Sequence, residues 1–306
     1  MIAAALLLAA ALGPQEEACR AALELAYDGA TGAARARFAE AQAAQPEPLC
    51  RYLELLARAW TIEQSGHTAQ DEGFHRNVDE LLALADQRLR ADPQDGRARL
   101  LRGAAHGLHS RLHLFRWERR PAAREAARMR EDLLEVPESE PLWAEARFGL
   151  GLYDYYADVL PRLFKLVRFL MGLPGGDRAQ GLRTLEAARR QALLHRTEAQ
   201  AQLFDIYVYH EGRDDDALHE ARELRQRYPG NPLWGLRLAE HLRARLGLYA
   251  ESAALAGEIR AAAEERRPNY GPVVAGLGRV LEAEAWLLEL QPPERARDAA
   301  QAALAA

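Results

Sequence analysis

Hydrophobic residues recur along the chain at intervals of three and four positions, and short polar breaks interrupt them. This is the period of an amphipathic α-helix, in which one stripe of side chains faces a core. Prolines mark many of the breaks, and the stretches between them run about 12 to 20 residues, the usual length of a globular helix. The pattern therefore predicts about fifteen helices joined by short turns.

Residues that favour strands are scarce. Valine, isoleucine and threonine together number 17 of 306 residues, whereas alanine, leucine, arginine and glutamate dominate. The first group suits a pleated sheet, and the second favours helices. With 49% hydrophobic and 28% charged residues, the composition is that of a folded globular chain. We therefore expect an all-α fold.

Two stretches, 15–46 and 198–231, share one layout of small, large and helix-breaking residues. Each consists of two helices around a turn, and a proline lies five residues after the last apolar residue of the second helix. The shared positions are Ala34, Phe38, Ala41 and Pro46 in the first stretch and Ala217, Ala221, Leu224 and Pro229 in the second. Small residues let two antiparallel helices approach closely, and proline stops the second helix. The layout predicts repeated antiparallel helix pairs.

This spacing resembles the tetratricopeptide repeat family, whose 34-residue units are helix–turn–helix pairs. The tryptophan position of the family's first helix is Ala18 in one stretch and Ala201 in the other, so the match is partial. The resemblance implies a right-handed superhelical solenoid of antiparallel helix pairs over residues 14–306, with an irregular central part at 94–176. In such stacks the first helices line a long concave wall that binds partners.

The resemblance also places groove-facing positions within residues 198–231. These positions are Ala199, Gln202, Ile206 and Tyr209, and His210 lies beside them. An amide, an aliphatic group, an aromatic ring and an imidazole suit an extended peptide or a helix of a protein partner. The alternative is that Ile206 and Tyr209 simply contact the next repeat.

The amino terminus begins with an apolar run. Residues 2–12 contain only apolar side chains and are followed by Gly13-Pro14 and two glutamates. A bilayer span takes about 20 residues, so this run is too short to cross a membrane. Its length and small residues fit a secretory signal peptide over residues 1–13, although no basic residue precedes it. We expect export to the periplasm; the alternative is the alanine-rich first helix of a cytosolic protein.

The chain contains two cysteines, Cys19 and Cys50. An even number of cysteines in an exported protein permits a disulfide. The functional interpretation is a bridge between neighbouring helices. The alternative is a pair of buried thiols that behave as small apolar residues.

Three histidines, His106, His109 and His113, share one face of a predicted helix. Neutral imidazoles at such spacing can bind a metal ion. Three ligands on one straight helix span about 10 Å along its axis, however, so one ion could hold only a pair of them. We predict a polar helix face without a bound metal or other cofactor. A metal-binding envelope protein that uses these histidines is the alternative.

Residues 159–173 form a short basic and apolar segment. Arg162, Lys165 and Arg168 recur every three positions, while Phe164 and Phe169 belong to the apolar remainder. A helix of this kind can lie in a membrane interface, with Phe164, Lys165, Arg168 and Phe169 facing the lipid. This would make the chain a membrane-apposed assembly factor. The alternative is a helix wedged into the protein with only its basic stripe exposed.

The charge distribution excludes a nucleic-acid-binding protein, and the lack of catalytic motifs in the sequence excludes an enzyme. The net charge is −5 with acidic and basic residues mixed, so the chain lacks a basic face for nucleic acid. The sequence has four serines, and none lies in a GxSxG motif. We therefore predict a non-enzymatic protein–protein interaction scaffold of the bacterial cell envelope, with a protein or peptide partner.

Overall fold

The computed structural model describes residues 11–43, 46–159, 172, 174–289 and 301. Within these ranges every regular element is helical and there is no strand, which confirms the all-α prediction. The predicted membrane-facing residues Phe164, Lys165, Arg168 and Phe169, and most of the predicted signal peptide, lie outside the described residues. No helix among the described residues combines the length and apolar character that a membrane crossing requires.

The described residues form thirteen α-helices and one short π-helical segment. The first eight helices are α1 (Pro14–Tyr27), α2 (Thr31–Gln42), α3 (Pro48–Ser65), α4 (Asp71–Ala91), α5 (Gly96–Phe115), α6 (Arg119–Leu134), α7 (Trp143–Val159) and α8 (Arg178–Gln191). The remaining elements are α9 (Arg196–Ile206), the π segment (Tyr207–Glu211), α10 (Asp214–Arg227), α11 (Pro232–Ala244), α12 (Tyr249–Glu264) and α13 (Pro272–Leu288).

Polar side chains cap the amino-terminal ends of several helices, at the points where a turn is followed by a helix with an apolar stripe. The carboxylates of Glu47, Asp95 and Asp177 accept hydrogen bonds from backbone N–H groups three residues later, at 2.8, 2.9 and 2.8 Å. The Asn231 side chain does the same for the N–H of Leu233 at 3.1 Å. These oxygens satisfy backbone donors that have no partner within the helix. The helix starts are thus encoded locally.

The chain divides into two compact units. Unit 1 contains the described residues of Met1–Glu24 and Ala34–Ala199, and unit 2 contains those of Leu25–Ala33 and Gln200–Ala306. The single continuous solenoid over residues 14–306 stays a prediction.

In unit 1 each helix from α3 to α8 packs against the next one. In addition, α3 contacts α5 and α5 contacts α7, so these three first helices of successive pairs form a row. Side chains of α3, α4 and α5 have almost no exposed surface in the core of this unit; they include Leu53, Phe74, Leu81 and Leu101. A disulfide joins Cys19 of α1 to Cys50 of α3, and both residues are fully buried.

Glycine permits a close contact between helices α7 and α8 of unit 1. A Cβ atom placed on Gly181 would lie 2.4 Å from the backbone nitrogen of Tyr155 and 2.8 Å from the carbonyl oxygen of Gly151. No real Cβ contact is that short, and backbone atoms cannot rotate away. The two helices therefore touch backbone to backbone at this position.

In unit 2, α10 to α13 also pack in sequence, and α11 contacts α13. The turn after α1 is fixed to the start of α11 by three hydrogen bonds. The carbonyl of Tyr27 accepts from Asn231 Nδ2 at 2.9 Å and from Trp234 Nε1 at 3.2 Å, and Asp28 accepts from the N–H of Gly230 at 2.7 Å. Trp234 is 1% exposed and is the largest fully buried side chain of the described residues.

Candidate functional site

The helix pair α4–α5 of unit 1 brings polar side chains together along one seam. Its antiparallel register places Asp86 opposite Arg102, with 3.0 Å between carboxylate oxygen and guanidinium nitrogen. About two turns back toward the start of α4, Asp79 lies opposite His109, at 3.1 Å from its Nε2. The same register places His75 opposite His113, and their ring centres are 4.8 Å apart.

A second contact fixes this end of the helix pair. Arg116, directly after α5, binds both carboxylate oxygens of Asp71 at 2.7 and 2.9 Å. It also donates to the backbone carbonyls of Gly66 and His67 at 2.9 and 2.7 Å. A bidentate arginine–carboxylate pair defines both distance and angle. The start of α4 is therefore held against the end of α5, which positions the imidazoles between them.

His75, His109 and His113 form a histidine cluster, in which one ring nitrogen of each lies within 4.8 Å of the others. The Nδ1 atoms of His75 and His109 are 2.7 Å apart, and their rings stack with centres at 4.9 Å and an angle of 12°. His109 is buried at 7% exposure, while the other two rings are half-buried. The cluster faces a cleft of about 280 Å³ that Asp79 and Leu82 also line.

The cluster differs in one member from the three histidines that share a face in the sequence. His106 does not join the cluster, because its Nδ1 pairs with the Glu125 carboxylate of α6 at 2.7 Å. The third imidazole comes instead from His75 on α4. The sequence contains a signal for this arrangement. His75 and Asp79 are four residues apart on α4, and His109 and His113 are four residues apart on α5, so each pair lies on one helix face.

Burial favours the neutral form of two members of the cluster. The pKa of His75 is lowered, first by desolvation and then by the charge of the nearby His113. The pKa of His109 is lowered in the same way, first by desolvation and then by His75. Neutral imidazole has a lone pair on one nitrogen, which is the form that binds metal ions.

A second polar network lies inside unit 1, where the chain enters α9. The Glu145 carboxylate accepts hydrogen bonds from the backbone N–H groups of Leu193, Leu194 and His195 at 2.5, 3.0 and 3.0 Å. It also contacts His195 Nδ1 at 2.9 Å, and His195 Nε2 contacts the hydroxyl of Tyr52. Burial raises the pKa of the Tyr52 phenol above its usual range, with the charges of Glu198 and Glu145 acting in the same direction.

The network continues along the row of first helices. Arg111 of α5 binds both oxygens of Glu63 at 2.6 and 2.7 Å and one oxygen of Glu198 at 3.1 Å. The Trp60 indole nitrogen donates to the other oxygen of Glu198. Residues 193–198 therefore lie against α3, α5 and α7.

Two conclusions follow from this second network. Tyr52, Glu145 and His195 are each less than 5% exposed, so their aligned polar atoms are closed to a substrate and serve to fix the chain before α9. His195 and Glu198 contact side chains of the first helices α3 and α5, and the open concave wall of first helices stays a prediction.

The predicted partner-binding residues separate into buried and exposed members. Ile206 has no exposed surface, because Ala199, Leu203 and Ile206 recur at the spacing of one helix face and form the core stripe of α9. Its assignment to a partner-binding groove was therefore wrong. Tyr209, in contrast, is 69% exposed, and the neighbouring His210 is also exposed.

Tyr209 lies on a surface that α9, the π segment and α11 share. Gln202 and Asp205 are half-buried on the same stripe, and Asp205 pairs with Arg237 of α11 at 2.8 Å. The pKa of Tyr209 is raised, mainly by desolvation and then by the negative charges of Glu240 and Asp205. We call this set of residues, Gln202, Asp205, Tyr209, Arg237 and Glu240, the α9–α11 surface.

Unit 2 also contains a larger cleft of about 690 Å³ between α10 and α12. Its floor includes Leu238 and Ile259. Arg225 and Glu258 pair on its rim at 3.0 Å. The cleft thus combines an apolar floor with rim charges that neutralise each other.

The chain matches no model of a known protein family. A comparison with curated proteins likewise gives no match. We therefore infer the function from the geometry of the described residues.

Proposed function

We propose that this protein is a non-enzymatic interaction scaffold of the bacterial cell envelope. In this proposal it is a right-handed superhelical solenoid of antiparallel helix pairs that binds a protein or peptide segment on the α9–α11 surface. The sequential packing of α3 to α8 within unit 1 and of α10 to α13 within unit 2, together with contacts between alternate helices in each unit, supports a stack of helix pairs.

The exposure of Tyr209 is the observation that carries this proposal. Tyr209 is a large aromatic side chain that is 69% exposed, and tyrosine is enriched at protein interfaces. Tyr209 also lies in the π segment Tyr207–Glu211, and π-helical turns are frequent at functional sites.

Charge on the α9–α11 surface favours a basic partner segment. The Asp205 carboxylate is neutralised by Arg237, whereas the carboxylate of exposed Glu240 lies beside Tyr209 without an ion pair among the described residues. An aromatic ring next to an unpaired carboxylate suits a lysine or arginine side chain, through cation–π attraction and a salt bridge. The proposed occupant is therefore an extended peptide segment that presents a basic residue.

Two features of the chain support the envelope as the proposed location. The apolar run at residues 2–12 is typical of a signal peptide, and disulfides such as Cys19–Cys50 persist in oxidising compartments. The alternative of a membrane-apposed assembly factor depends on residues 159–173 and stays a prediction.

Site-specific photo-crosslinking in the native host tests the proposal. A benzophenone amino acid replaces Tyr209 in one variant and His219 in the control; the His219 side chain, on α10, is also 69% exposed. We expect a discrete crosslinked species from position 209 and none from position 219. The charge reversal Glu240→Lys should abolish that species, whereas reversal of the exposed Glu131 of unit 1 should leave it. Equal crosslinking from both positions, or none from position 209, would contradict the proposal.

A further inference from the structure

We propose that His75, His109 and His113 form a binding site for a divalent transition-metal ion of the zinc type. The three imidazoles come from two helices, face one cleft and have ligand atoms within 4.8 Å of one another. This site is in unit 1 and shares no residue with the α9–α11 surface, so its test is independent of the proposed scaffold function.

The carboxylates behind the rings determine which nitrogens can bind the ion. Asp79 accepts a hydrogen bond from Nε2 of His109 at 3.1 Å, which places the proton there and leaves Nδ1 with its lone pair. Glu118 accepts from Nδ1 of His113 at 2.5 Å, which leaves Nε2 as the donor to a metal. Carboxylates that orient metal-binding histidines in this way are a regular feature of zinc sites.

His75 completes the set. In the structure its Nδ1 lies 2.7 Å from Nδ1 of His109, so His75 donates the hydrogen bond that the lone pair of His109 accepts. The remaining nitrogen of His75, Nε2, then has a lone pair of its own. Metal binding requires the proton of this half-buried ring to move from Nδ1 to that nitrogen, so that the lone pair of Nδ1 faces the ion in place of the hydrogen bond to His109. The three rings stay neutral, so no proton is gained or lost by the cluster.

The spacing suits a tetrahedral ion after a small adjustment. Zinc–nitrogen bonds of about 2.0–2.1 Å separate two ligand nitrogens by roughly 3.3 Å in a tetrahedron. The 2.7 Å contact must therefore open by roughly 0.6 Å, which a side-chain rotation provides. The cleft of about 280 Å³ leaves the fourth position to a water molecule.

The chemistry of the donors selects the class of ion. Imidazole nitrogen is a ligand of Zn²⁺, Cu²⁺ and Ni²⁺, whereas Ca²⁺ and Mg²⁺ take oxygen ligands. The two cysteines are joined in a disulfide and do not compete as thiolates. A three-imidazole site therefore prefers a transition metal over the alkaline-earth ions.

Calorimetric titration of the untagged, chelator-treated protein with ZnCl₂ at pH 7.5 tests the site. We expect one equivalent of zinc to bind, and no binding when MgCl₂ replaces ZnCl₂. His75→Gln and His113→Gln should each weaken zinc binding by more than tenfold. Glu118→Gln, which removes only an orienting carboxylate, should weaken it roughly 10- to 100-fold.

His106→Gln is the matched control, because His106 lines the same cleft but pairs with Glu125. It should bind zinc as the unmodified protein does. Circular dichroism verifies that each variant is folded, and zinc should raise the melting temperature of the unmodified protein and of His106→Gln only. Less than one equivalent bound by the unmodified protein, unchanged binding by His75→Gln, or an equal loss in His106→Gln would overturn the proposal.

Discussion

The disulfide between Cys19 and Cys50 gives a quantitative prediction for the stability of unit 1. The bond joins residues 31 positions apart in the sequence. Closing a loop of that length lowers the entropy of the unfolded chain enough to stabilise the folded state by about 4 kcal/mol at 25 °C. Both cysteines are fully buried at the contact of α1 with α3, so replacing them with alanine introduces no unpaired polar group.

Equilibrium urea unfolding, followed by circular dichroism, measures this contribution. The double variant Cys19→Ala/Cys50→Ala should lose about 4 kcal/mol of unfolding free energy relative to the oxidised protein. Reductant should lower the midpoint of the unmodified protein and leave that of the double variant unchanged. The reasoning would be refuted by two titratable thiols in the native protein, or by equal unfolding free energies of the oxidised protein and the double variant.

Three further predictions concern packing, the buried network and pH. Gly181→Ala should destabilise unit 1 by about 1–3 kcal/mol in urea unfolding, because the added Cβ meets backbone atoms of α7. Gly276→Ala should instead stabilise unit 2 by about 0.5–1 kcal/mol, because Gly276 lies on α13 with open space around its Cβ position. Changes of the same sign in the unfolding free energies of the two variants would contradict this explanation of the packing. Glu145→Ala should cost about 3–5 kcal/mol in the same assay, because it leaves buried amides and an imidazole without their carboxylate; a loss below about 1 kcal/mol would disprove the role of the network. The pKa values of His75 and His109 are lowered in the native state, so just below about pH 6.5 the unfolded chain binds protons that the native cluster excludes. The free energy of unfolding should therefore rise with pH through that window. Urea midpoints measured between pH 5 and 7.5 should rise less steeply for His75→Gln, and an equal slope would exclude the cluster as the source.

The helices could be predicted from the sequence because their causes are local. Apolar spacing, scarce β-branched residues and proline breaks together define where helices form. Helix starts have local causes as well: the carboxylate of Asp177 accepts the N–H of Gln180 at 2.8 Å at the start of α8. Asp214 to Asp216 form the first turn of α10, where negative charge complements the helix dipole.

The histidine cluster could be predicted only in part because it depends on the register between two helices. His109 and His113 share a face of α5, which their spacing alone reveals. The contribution of His75 requires knowing that α4 and α5 are antiparallel neighbours and how far one is shifted along the other. That shift is fixed by contacts distant in the sequence, such as Arg116 with Asp71.

The partner-binding residues show a different kind of error. Their positions came from a family resemblance, which placed Ile206 in a groove. The residue pattern of α9 itself contains the correct assignment, since Ala199, Leu203 and Ile206 form one apolar stripe and are all fully buried. The periodicity of this chain was thus a better guide to burial than the positions of the family.

Hydrogen exchange of the captured complex tests the central claim of a partner on the α9–α11 surface most directly. The protein would be compared alone and with the partner that crosslinks to position 209. A partner bound to this surface should slow amide exchange in residues 202–211 and 237–245 of the complex and leave exchange in α4 and α5 unchanged. Protection confined to the cleft between α10 and α12, or no protection in unit 2, would contradict the claim.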